Sequence, residues 1–200
     1  NQYPLLPCKH VDKSRLAVLA IAVGTIVFLL KVLAFMESGS VALLSDAMES
    51  IINIVASVMM FTALIISSRP EDVEHRYGHQ KAENISALIE GILIIIAAIL
   101  IIQATAGRLL EPIELENVDL GMMISLAATS INGILAAIMM NVARSERSMA
   151  LEGDAKHLFS DVISSVGVVA GLFVASVTGL YILDPLIALV VAALLIRMGI

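Results

Sequence analysis

Two short runs of the sequence place acids, an amide and a histidine among neighbours that are almost all aliphatic. In the first, Asp46, Glu49, Ser50 and Asn53 recur every three or four residues, a spacing that stacks them on one face of a helix. In the second, Asp154, His157 and Asp161 do the same. Taken pairwise from two facing helices, Glu49 with Asn53 and His157 with Asp161 bring carboxylates, a carboxamide oxygen and an imidazole together. Those four donors suit zinc or another first-row divalent ion. The plainer alternative is a structural polar contact between two helices, with no ion involved.

The setting makes these side chains costly. Hydrophobic residues are 59% of the chain and charged residues 15%, and the mean hydropathy is +0.97, so the solvent for most of the chain is lipid. A charge at the centre of a bilayer costs about 3 kcal/mol or more, so each one needs a partner, a water-filled cavity or a function. Aromatic residues are 4% with no Trp, which leaves orientation to be read from charge rather than from interfacial rings. A formal charge of -6 and a pI near 5.1 argue against a nucleic-acid partner. Cys8 is the sole cysteine, so no internal disulfide forms.

The elements that must position the two runs are membrane helices. Crossing about 30 Å of hydrocarbon takes about 20 residues, and apolar stretches of that kind lie at about 15–36, 40–67, 83–109, 118–143, 150–180 and 185–199. This predicts an all-α, six-helix membrane bundle. The first stretch lacks a convincing cleavage site and is expected to remain as a helix. Depth then links the two runs. At about 1.5 Å per residue, Glu49 and Asn53 lie roughly 14–20 Å from the outer end of their helix. His157 and Asp161 lie roughly 10–17 Å from the inner end of theirs, the same membrane level.

Positive charge orients the bundle. Lys9, Lys13, Arg15, Arg69, Arg76, Lys81, Arg144, Arg147, Lys156 and Arg197 all fall on one side of the six spans, which makes both termini cytoplasmic. Glu37, Glu111, Glu114, Glu116, Asp119 and Asp184 occupy the opposite loops, with Lys31 and Arg108 expected to reach headgroups by snorkelling. The sequence stops at Ile200 directly after the last span, so any cytoplasmic domain that follows lies outside it.

Three motifs carry a resemblance. Gly39-Ser-Val-Ala-Leu-Leu-Ser-Asp46-Ala, Tyr77-Gly-His79-Gln-Lys-Ala-Glu83 and Asp154-Ala-Lys-His157-Leu-Phe-Ser-Asp161 resemble those of cation diffusion facilitators, and the likeness in span number and topology covers nearly the whole chain. The resemblance implies a homodimeric antiporter of a bacterial-type plasma (inner) membrane, multi-pass in lipid. It would export zinc, or else manganese, iron, cobalt or cadmium, from the cytoplasm in exchange for protons. It assigns Glu49, Asn53, His157 and Asp161 to the ligand positions, with Asp46 an alternative ligand or a group that orients one. Family members most often carry His or Asp, then Asp, at the two second-helix positions, so Glu49 and Asn53 are a departure. An amide in place of a carboxylate removes one negative charge and shifts preference toward manganese, iron or cobalt. Imidazole changes charge nearest physiological pH, which gives proton coupling to His157 together with Asp161.

The loop after the second span holds Asp72, His75 and His79. By the same resemblance these form a second, more exposed metal site, while by composition alone they are a solvated turn whose charges set topology. Lys81 resembles a residue that bridges to a cytoplasmic domain. Elsewhere the bland reading leads. Gly167 and Gly171 read as a small-residue pair for close helix packing, and Ser125, Thr129, Ser130 and Asn132 read as interhelical hydrogen-bonding groups. Glu90 reads as a salt-bridge or hydrogen-bond partner of a neighbouring helix, with a proton path or dimer contact as its alternative. The rivals to transport are a metal-binding sensor or scaffold and an intramembrane metalloenzyme. For the latter the sequence has neither a His-Glu-x-x-His pattern nor a nucleophile elbow.

Overall fold

The computed structural model describes residues 13–67, 78–110 and 115–199, and within these it omits some helix side chains, among them those of His79, Lys81 and Glu90. Asp72, His75, Arg69 and Arg76 lie outside the described residues. Every regular element among the described residues is a helix: α1 Lys13–Ser38, α2 Val41–Ser67, α3 Gly78–Leu110, α4 Val118–Glu146, α5 Met149–Thr178 and α6 Leu183–Gly199. Five of them, α1 to α5, are long and apolar enough to cross a membrane by length and composition. The sixth, α6, is equally apolar, and its 17 described residues would extend about 25 Å.

The turns explain where the helices stop. Gly39 takes a left-handed φ of 65° and its N–H donates to Phe35 O at 2.7 Å, a cap that ends α1. One residue later, Ser40 Oγ accepts the N–H of Leu43 at 3.1 Å and so starts α2. Asp184, counted from the sequence among the loop acids, is instead buried at the start of α6. It accepts from Ser40 Oγ at 2.5 Å and from the N–H groups of Val41 and Ala42, both at 3.0 Å. An anion fixed at the positive end of a helix satisfies donors that have no other partner in a dry environment.

Packing divides the bundle. The helices α1, α2, α5 and α4 form a closed ring in which each touches the next, and α3 and α6 pair with one another beside it. Of this pair, α3 packs also on α2, and α6 on both α2 and α5. Small residues allow the close approaches. A Cβ on Gly121 of α4 would stand 2.9 Å from Ser38 Cβ and 3.0 Å from Ala34 O of α1. A Cβ on Gly171 of α5 would collide with the Ile187 side chain of α6, whereas Gly167 has nothing within 4 Å, so only one of that predicted pair serves packing. The outer surface of α3, with Ile92, Ile95, Ile96, Ile99 and Leu100, is apolar and exposed, as a lipid-facing surface must be.

Inside the ring, polar groups form a layer between two apolar ones. Leu16, Ala17, Ala20, Leu135, Ala136, Met139, Leu151, Ala155 and Leu158 pack on the basic side of that layer. Ala34, Val41, Leu43, Val118, Met122, Val168 and Leu172 belong to a second core on the acidic side. Lys31, Asp46, Ser125, Thr129, Asn132, Asp161 and Ser165 lie between them, all buried.

Candidate functional site

Four helices contribute to this layer, and Lys31 of α1 is its centre. Its Nζ lies 2.9 Å from Asp46 Oδ1 of α2, 3.1 Å from both carboxylate oxygens of Asp161 of α5, and 2.9 Å from Ser165 Oγ. The side chain is 0% exposed, so the expectation that Lys31 would snorkel to the headgroups is overturned. Its placement near the turn at Gly39 permitted either outcome. The acids opposite decide it, because an ammonium paired with two carboxylates is far cheaper to bury than any of the three alone.

The surrounding polar groups complete the first acid's shell and part of the second's. Asp46 also accepts from Ser165 Oγ at 2.5 Å and from Ser125 Oγ of α4 at 3.1 Å. Asp161 accepts from Asn132 Nδ2 at 2.7 Å. Ser125 and Asn132 thus join helices as expected, but Thr129 and Ser130 donate to their own helix, to Ser125 O and Leu126 O. Glu49, one turn from Asp46, is held by Ser164 Oγ at 2.8 Å.

One donor oxygen each from Asp46, Glu49 and Asp161 lies within 4.8 Å of the others, a spacing at which three carboxylates can share one cation. Asn53 is buried on the same face of α2, and neither atom of its amide has a partner among the described residues. Such an orphaned amide costs about 1–3 kcal/mol, a penalty that an ion or water in the site would relieve. Asn132 Oδ1 is buried and likewise unsatisfied.

His157 stands apart from the three converging acids. It is half-buried on α5, one turn toward the basic end from Asp161. Ser57 of α2 donates to Asp154 at 3.1 Å and Ser165 donates to Asp46, which fixes an antiparallel register in which His157 is level with Asn53 and Ile54. Asp154, grouped with His157 and Asp161 by spacing, is occupied with Ser57. Beside Glu49 a cavity of about 300 Å³ is lined by Ser160, Ser164, Val191, Leu194, Leu195 and Arg197. It leads from the acid toward the basic end of α6.

A bundle of long apolar helices around a buried cluster of acids, with the Lys31 ammonium already among them, defines a polytopic helical membrane protein. The chain belongs to the cation efflux family, matching the cation efflux transmembrane domain over residues 17–200. It is 43% identical over 173 residues to an uncharacterized transporter of Synechocystis sp., covering 86% of this chain and 56% of that protein. Against the cation-efflux pump FieF of Pectobacterium carotovorum it is 32% identical over 156 residues, covering 78% and 52%. The corresponding pump of Shewanella oneidensis gives 31% over 173 residues, covering 86% and 58%. The chain spans about half the length of the curated relatives it matches.

Proposed function

We propose that this chain is the membrane part of an exporter that moves a divalent transition-metal ion out of the cytoplasm in exchange for protons. The observation that carries the reading is the convergence of Asp46, Glu49 and Asp161 from two antiparallel helices in the buried middle of the bundle, within a family named for cation efflux. Asp161 and Glu49 are the primary ligands, with Asn53 and His157 completing the set when α2 and α5 close on the ion. Asp46 orients Lys31 and Asp161, and serves as an alternative ligand. Zinc is the first candidate cargo, with manganese, iron, cobalt and cadmium as its competitors.

In this reading the ion enters from the basic side, which positive charge assigns to the cytoplasm, through the cavity beside Glu49. Metal and protons compete for the same lone pairs, so release outward is accompanied by proton return on His157 and Asp161 as helix groups rock between two openings. The protein acts as a homodimer in a bacterial inner membrane, and Asp72, His75 and His79 form an auxiliary cytoplasmic site. The test is uptake of several metals into proteoliposomes under an imposed pH gradient, with His157→Ala and Asp161→Ala beside the native protein. Loss of uptake in both supports the site, and normal uptake in both removes it. Metal movement with no proton flux removes the antiport.

A further inference from the structure

The site contains one group that a ligand set for a metal does not require. Lys31 Nζ touches both oxygens of Asp161 and one of Asp46 inside the space where three carboxylates converge. A lysine ammonium is a compact point charge on a flexible stem, so it can fill a cation's position and also withdraw from it. Its stem enters from α1, on the side of the layer away from the Glu49 cavity, which lies between α2, α5 and α6. An ion arriving through that cavity meets Glu49 first and Asp161 next, and at Asp161 it meets a cation already in place.

We propose that Lys31 is a tethered competitor for the transported ion: its ammonium holds Asp161 while the site is empty, and metal capture requires Asp161 to be handed from Lys31 to the ion. The inference rests on the metal-site reading above and adds to it a residue that sets affinity. Formal charge is consistent with the exchange. With a divalent ion bound and the three carboxylates ionised around it, the ion and the ammonium together balance the three negative charges. Binding protons brings the centre to the same charge, so metal and protons are alternatives at this site while Lys31 is retained on Asp46. Ser165 accepts from Lys31 and donates to Asp46, which gives the ammonium a resting place after Asp161 is released. Such a competitor weakens capture but speeds discharge, since the returning ammonium displaces the ion from Asp161 on the far side of the cycle. Without it, three acids would hold a transition metal tightly enough to slow turnover.

The experiment uses the full-length protein, purified and reconstituted, titrated with Zn²⁺ by calorimetry and with Co²⁺ by visible absorbance. Lys31→Met should tighten metal binding by about tenfold or more, as expected for removing a positive charge from a poorly solvated site, and should slow transport. Lys31→Arg should stay within a few-fold of native affinity, because the competing charge is retained. Unchanged or weaker binding in a folded Lys31→Met protein overturns the proposal. Should that variant not fold, Lys31→Met combined with Asp46→Asn is compared with Asp46→Asn alone. Tighter binding in the double variant supports the competitor, and equal or weaker binding overturns it. Glu49→Gln and Asp161→Asn separate this result from the underlying reading. If they bind like the native protein, the metal site itself is misplaced and the proposal falls with it. If they lose binding while Lys31→Met gains none, only the competitor role is refuted.

Discussion

The ring of α1, α2, α4 and α5 and the adjoining pair of α3 and α6 solve the problem of packing in lipid in different ways. In the ring, polar side chains from four helices meet in pairs and triples, from Lys31 to Asp46 and Asp161 and from Asn132 to Asp161. In the pair, the buried polar groups among the described residues are Thr105, which donates to its own helix, and Asp184 at the end of α6. Directional bonds between helices fix a register, whereas apolar contacts between aliphatic faces let one helix slide along another with little penalty. The ring that carries the charge is therefore held in register by bonds across its helices, while the pair meets its neighbours through lipid-compatible side chains, apart from Asp184, which ties α6 to α2. The cavity beside Glu49 lies where the two parts meet, since α6 supplies Val191, Leu194 and Leu195 to its wall.

That contrast can be broken first at Asp46. Asp46→Ala strands Lys31 beside a single acid and removes the acceptor of Ser125 and Ser165, so a loss of about 3–5 kcal/mol is expected, read as a lowered unfolding midpoint in detergent. At the boundary between ring and pair, Gly171→Leu forces a side chain against Ile187, with an expected cost of about 1–3 kcal/mol. Transport should fall in the same variant, because α6 is pushed away from α5. Asp184→Ala leaves the first N–H groups of α2 without their acceptor and should lower stability by about 1–2 kcal/mol, as other lost helix caps do. At the far end of the scale, Ile99→Ala on the lipid-facing side of α3 should change stability by no more than about 0.5 kcal/mol and leave uptake unaltered. A large effect there would mean that this surface is covered by protein rather than lipid.

Much of this architecture was legible in the sequence, for physical reasons. Lipid imposes a length and an apolar composition on each helix, so α1 to α6 stand out as runs bounded by Gly39, the Arg147-Ser148 turn and Gly179. Spacing put Asp46 and Glu49 on one face and Asp161 at a matching depth, which brought three of the ligand candidates together. Lys31 escaped because depth in a helix does not say which way a side chain points. A signal was nevertheless present. Lys31 and Asp46 are nearly equidistant from the tight turn at Gly39, so a hairpin of α1 and α2 sets them level, and an acid cluster in lipid calls for a cation. Ser164 and Ser165 were missed for a related reason, since a serine in a membrane helix bonds either back to its own carbonyls or across to a neighbour, and only packing decides. The same ambiguity misdirected Thr129 and Ser130.

Asp184 joins α6 to the first turn of α2 at the acidic end of the bundle, while the basic end of α6, near Arg197, has the cavity beside it. A rod clamped by a carboxylate at one tip and bordered by open volume near the other has the width of that volume set by its tilt. The clearance beside Glu49 is therefore tied, through the length of α6, to how Asp184 seats on α2.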